Sequence, residues 1–97
     1  MNESIALQGS IIIENSEKVR EAISKALRAR PSQLFVDLSE VTYLDTSGLA
    51  TLLEAERIAR KQGTRMVVGG VHDQPRHLLE ISHLDRLFEM VAGEGGA

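Results

Sequence analysis

Apolar and polar positions divide this chain into short β-branched runs that alternate with longer stretches of helical period. Ile5-Ala6-Leu7 and, past Gly9, Ser10-Ile11-Ile12-Ile13 are too short for a buried helix and predict a strand. Val19, Ala22, Ile23, Ala26 and Leu27 then recur at i, i+3, i+4, i+7 and i+8, which predicts an amphipathic helix. Ser16 is its expected N-cap, Glu21 and Lys25 pair on its outer side, and Pro31 stops it. Leu34-Phe35-Val36-Asp37-Leu38 reads as a strand apolar on both faces, and Ser39-Glu40 as a turn. Val41-Thr42-Tyr43-Leu44 leads into the polar stretch Asp45-Thr46-Ser47-Gly48. A second helix is expected from Ser47 to Gln62, with Arg60 and Lys61 in its last turn and Gly63 as its stop. Leu49, Leu52, Leu53 and Ala59 mark its buried side, although Glu56 falls inside that arc and Ile58 outside it. Met66-Val67-Val68 is a third strand closed by Gly69-Gly70. A third helix opens with Asp73 as cap and Pro75 in the first turn, carrying Leu78, Leu79 and Ile81. Leu84, Leu87 and Phe88 form a last apolar cluster before a flexible tail at 93–97.

Alternating strands and helices predict an α/β fold, with Leu34–Leu38 inside the sheet and Val19, Ile23, Leu27, Leu49, Leu53 and Leu79 in the core. The 97 residues suffice for a single domain, 1–97, with no repeat or linker. The absence of cysteine excludes disulfides, thiol catalysis and Cys-ligated zinc. A net charge of −3 and three aromatic residues give no footprint for nucleic acid. No apolar run exceeds three residues and the first residues do not form a leader, so a cytoplasmic protein with no direct membrane insertion is expected.

Chemistry concentrates at Asp45-Thr46-Ser47-Gly48, which brings a carboxylate and two hydroxyls to a helix start, where backbone N–H groups are free. The simplest reading is local: Thr46 or Ser47 caps the helix and Gly48 permits close packing. Nucleophilic catalysis is not expected, because residues 45–49 lack the Gly-x-Ser-x-Gly elbow. His72, His77 and His83 lack metal-ligand spacing and read as one loop residue, His72, and two exposed or half-buried helix residues, and Gly69-Gly70 is not a phosphate loop. Glu54, Glu56, Arg57, Arg60 and Lys61 form either a solvated helix face or a docking surface beside Ser47. Asp37 either satisfies nearby backbone donors or lines the Ser47 pocket.

Asp45-Thr46-Ser47-Gly48-Leu49, with Val36-Asp37-Leu38-Ser39 before it and Leu52-Leu53 after it, resembles the signature of STAS domains. The resemblance continues through Gly63, Met66-Val67-Val68, Gly70-Val71 and Leu78-Leu79-Glu80 to Leu84-Asp85-Arg86-Leu87-Phe88, spanning roughly residues 9–91. It implies a four- to five-stranded mixed sheet with helices mainly on one side. As in bacterial anti-sigma-factor antagonists, it implies that Ser47 is a phosphoacceptor, with Thr46 second, in a pocket of Asp37, Asp45, Thr46 and Gly48. Partner contacts would come from Ser47, Ala50, Thr51 and Glu54. The implied partners are an anti-sigma-factor serine kinase, which would carry the ATP and Mg²⁺, and a phosphatase; the chain itself needs no cofactor. The alternative is a regulatory domain or subunit of a membrane transporter, of the sulfate-permease anion type or the lipid-transport type. Ile12 stands where antagonists usually carry aspartate, and Gly70-Val71-His72-Asp73-Gln74-Pro75 points the same way.

Overall fold

The computed structural model describes residues 1–92, so the tail expected at 93–97 lies outside the described residues. The elements run β1 (Asn2–Ile11), α1 (Ser16–Arg28), β2 (Gln33–Leu44), α2 (Thr46–Gln62), β3 (Arg65–Gly69), α3 (Asp73–Ile81) and β4 (Glu89–Val91). They build an α/β fold around a four-stranded sheet of order β1-β2-β3-β4.

The three ladders among the described residues are all parallel, so the antiparallel member of a mixed sheet is not among them. The reason lies in β1. Residues 2–11 form one continuous strand, with Gly9 taking up a left-handed φ of 75° inside it, and Ile12 and Ile13 of the expected Ile run lie past its end. The expected Ser39-Glu40 turn is likewise absorbed into β2. Register shifts between Ala6 and Gln8 and between Gly9 and Ser10 let the two strands stay paired while β2 runs through more residues. Asp37 Oδ1 accepts the Ser39 N–H at 2.9 Å at this bend, and Val41 and Leu44 beyond it are fully buried.

Leu34, Val36 and Leu38 point to one face of β2 and join a core with Ile23 and Leu27 of α1, Leu49, Leu52 and Ala59 of α2, and Leu79 of α3. All three helices therefore cover that face. Phe35 and Val67, partners in register, are buried on the other face. Val19 and Leu53 are only partly buried against the core, and Ile81 is 60% exposed. Ile58 also packs on the core, while the half-buried Glu56 accepts from Arg60 Nη2 at 2.9 Å. α1 ends just before the buried Pro31, and α2 ends at Gly63, whose φ is 81°.

Several local assignments differ from the sequence reading. Asn15, not Ser16, flanks α1, and it gives no side-chain cap because both its amide atoms are engaged at the end of β1 and the residue just past it. Its Oδ1 accepts the Ile12 N–H at 2.8 Å and its Nδ2 donates to Ser10 O at 2.7 Å. Glu21 pairs with Arg28 at 3.5 Å instead of with Lys25. His72, not Asp73, is the residue flanking α3, and His83 lies past the end of that helix. β4 follows the apolar cluster at 84–88, where no strand was expected; three residues paired along one edge leave little periodicity to read.

Candidate functional site at the start of α2

Parallel pairing of β1 and β2 brings the last residues of both strands to the same end of the sheet. Ile11 stands opposite Leu44, and the Asp45 N–H donates to Ile11 O at 3.3 Å. The cap of α2 is Asp45, rather than Thr46 or Ser47. Its backbone is extended, its Oδ1 accepts the Gly48 N–H at 2.9 Å, and its carbonyl accepts the Leu49 N–H at 3.0 Å. Its other carboxylate oxygen accepts the Ile13 N–H at 3.0 Å, so one side chain ties the helix start to the segment leaving β1. Gly48 completes this junction. A Cβ built there would lie 2.3 Å from Ile11 O, so the close packing expected of Gly48 is a backbone-on-backbone contact.

Capping by Asp45 leaves Thr46 and Ser47 unneeded for that task. Thr46 is exposed. Ser47 is half-buried and lines an open cleft of about 400 Å³ between α1 and α2, together with Ser16, Arg20, Ala50, Thr51 and Glu54. All four residues expected to contact a partner thus line one cleft. Thr51 forms its floor: it is only 7% exposed and its hydroxyl donates to Ser47 O at 2.9 Å. Glu54 and Ala50 form a wall, and Arg57 bonds Glu54 at 2.7 Å. That guanidinium holds the Glu54 carboxyl below its usual range; slight burial opposes it, and Arg57 and Arg20 add weaker charge attraction.

Asp37 does not join this group. It faces the bend in its own strand, beside Ala6 and Gly69, and its carboxylate satisfies the Ser39 amide. Asp45 and Gly48 support Ser47 from behind without lining its cleft.

Three contributors were not legible beforehand. Gln74 of α3 clamps the end of β2: Leu44 N donates to its Oε1 and its Nε2 donates to Leu44 O, both at 2.8 Å. The side-chain amide thereby replaces a neighbouring strand at that edge. Ile13 and Tyr43 are 69% and 47% exposed at the ends of the two strands that lead to the site. Large apolar side chains in a run read as core, and only the strand ends show that these two face outward.

Among the described residues, no three His, Asp or Glu side chains converge as a metal site, and no helix is long and apolar enough to cross a membrane. His72, placed in a loop by its sequence, sits where β3 meets α3. Its Nε2 lies 2.9 Å from Ser39 O and its Nδ1 2.6 Å from Asp73 Oδ2. The Asp73 hydrogen bond, followed by the Ser39 carbonyl, raises its pKa above the usual histidine value.

Residues 2–92 match the family described as Mlab, STAS domain. The chain is 31% identical over 91 residues to the anti-sigma-B factor antagonist of Listeria monocytogenes, covering 94% of this chain and 80% of that protein. Over 49 residues, half of each chain, it is 41% identical to the intermembrane phospholipid transport system binding protein MlaB of Escherichia coli. A crystal structure of a putative anti-sigma factor antagonist from Thermotoga maritima superposes with a TM-score of 0.82 at 17% identity, covering 94% of this chain and 80% of that one.

Proposed function

The chain belongs to the STAS domain family, whose members are non-catalytic regulatory modules, and from that premise we propose that it is an anti-sigma-factor antagonist switched by phosphorylation of Ser47. The observation that carries this reading is the α1–α2 cleft: it presents a hydroxyl that the fold does not use, on a helix start held rigidly by Asp45 and Gly48. The likeness to the Listeria antagonist spans nearly the whole chain and favours the same role.

In this reading the unmodified domain docks on a cytoplasmic anti-sigma-factor serine kinase through Ser47, Ala50 and Glu54, with Thr51 beneath them. Ile13 and Tyr43, exposed near the ends of β1 and β2, add apolar contact. The kinase supplies ATP and Mg²⁺. The Ser47 hydroxyl loses its proton and bonds to the γ-phosphorus, the bond to the β-bridging oxygen breaks, and ADP leaves. A phosphatase reverses the state by hydrolysis. The added charge of about −1.5 to −2 falls on a helix start, which tolerates it, so the cost lands on the interface rather than the fold.

Incubation with the cognate kinase and ATP, followed by mapping of the modified residue, tests the reading. Phosphate on Ser47 supports it, and phosphate on Thr46 instead contradicts it.

A second reading has its own observation, the 41% identity to the phospholipid transport binding protein. There the same cleft would dock on a transporter subunit without a phosphorylation step. Absence of modification together with stable association with transporter components would select it.

A further inference from the structure

Resting on Ser47 as the phosphoacceptor, we propose that Arg20 of α1 is the built-in counter-charge for the phosphate, and that on phosphorylation it leaves Glu17 and closes over the cleft between the two helices. Arg20 and Ser47 line the same cleft from opposite helices. Because β1 and β2 are parallel, α1 and α2 leave the same end of the sheet. Side chains on a helix lean toward its N-terminus, and Arg20 does so: its Nε and Nη2 donate to Glu17 Oε1 at 3.1 and 3.0 Å. The guanidinium head thus lies one turn back, toward the first turn of α1, where Ser16 shares the cleft with Ser47.

Its present partner holds it weakly. Glu17 is 81% exposed and Arg20 is 52% exposed, the situation in which an ion pair contributes least. A phosphate offers a dianion and three acceptor oxygens, and the planar guanidinium fork fits it with two parallel hydrogen bonds. Glu54 is the competing anion on the far wall; it hydrogen-bonds Arg57 and feels only weaker charge attraction from Arg20. The amides of Thr46 and Ser47 add to the attraction, since Asp45 accepts from the Gly48, Leu49 and Ile13 amides and not from these two.

Such a pair changes what a partner meets. The unmodified cleft is open to an inserted side chain, whereas the phosphate–Arg20 pair fills it from within. The switch then needs no refolding of α1, α2 or the sheet.

The test uses the full chain with phosphoserine installed at position 47 during translation, so it does not depend on a kinase. Titration by ³¹P NMR reads the second pKa of the phosphate, which is about 6 for an isolated phosphoserine. That value should lie lower by about half a unit or more with Arg20 present than in Arg20→Gln, with Arg20→Lys between the two. Phosphoserine placed at position 46 should show no dependence on residue 20. Circular dichroism should be identical across the set, since Arg20 is largely exposed. Equal pKa values with Arg20, Lys and Gln would overturn the proposal. Failure of the Ser47 switch itself shows elsewhere, as equal partner binding by the unmodified and phosphoserine-47 proteins.

Discussion

The starts of α2 and α3 look alike in sequence, each an Asp following an apolar strand, yet the two aspartates work in opposite ways. Asp45 turns both carboxylate oxygens inward onto the amides of Gly48 and Ile13, joining two segments that meet at the end of the sheet. Asp73 lies one residue inside its helix with φ at 54°, and its carboxylate reaches out to the exposed His72 ring. The first arrangement freezes a helix start and frees the neighbouring Ser47. The second ties a helix start to β2 through an ionisable latch that ends on Ser39 O. A rigid platform suits a docking face; a titratable one suits a hinge.

The contrast breaks most severely at Gly48. Gly48→Ala places a methyl group into Ile11 O, which cannot move without parting β1 from α2. A loss of about 3 kcal/mol is expected in urea unfolding, at the upper end of overpacking costs. Asp45→Ala removes a cap and orphans two amides, for about 2 kcal/mol, and Asp45→Asn should recover part of it. Asp73→Asn, by contrast, keeps a residue that tolerates the left-handed φ and should stay within about 0.5 kcal/mol, as surface substitutions usually do. Comparable losses at Asp45 and Asp73 would erase the distinction.

A pH series sharpens it further. The folded His72 pKa is raised, so its contribution is fully present below the ordinary value of 6.5 and disappears as pH rises through the folded value. The stability difference between wild type and His72→Gln should therefore shrink just above pH 6.5. The smallest effect belongs to Ser47→Ala, expected within about 0.5 kcal/mol of wild type because Asp45 does the capping.

Much of this organisation was legible in the chain. Ile23 and Leu27 declare a helix face by spacing, Pro31 and Gly63 mark the helix ends, and the Leu34–Leu38 run is buried on both faces as its lack of alternation implies. The importance of Gly48 was visible, but its reason was not, since nothing local reveals that Ile11 O lies against it. Asp45, Thr46 and Ser47 are all good capping residues. Which one caps depends on where β2 ends, and that is set by pairing with β1 across distant sequence. The Gln74 clamp and the parting of Asp37 from Ser47 are long-range facts of the same kind. Glu56 inside an apolar arc was a true irregularity, and only half answered: Oε2 pairs with Arg60, while Oε1 is buried without a hydrogen-bond partner.

In the proposed switch, partner binding is read at the start of α2 and not at the exposed end of α3. This is tested most directly by measuring affinity for the cognate anti-sigma-factor kinase with wild type, Ser47→Asp and Ile81→Asp. Ile81 is the control because it is 60% exposed at the end of α3, away from the cleft. Ser47→Asp should weaken binding by about tenfold or more, a change of about 1.4 kcal/mol, while Ile81→Asp should bind as wild type does. Wild-type affinity for Ser47→Asp combined with loss in Ile81→Asp would contradict the account.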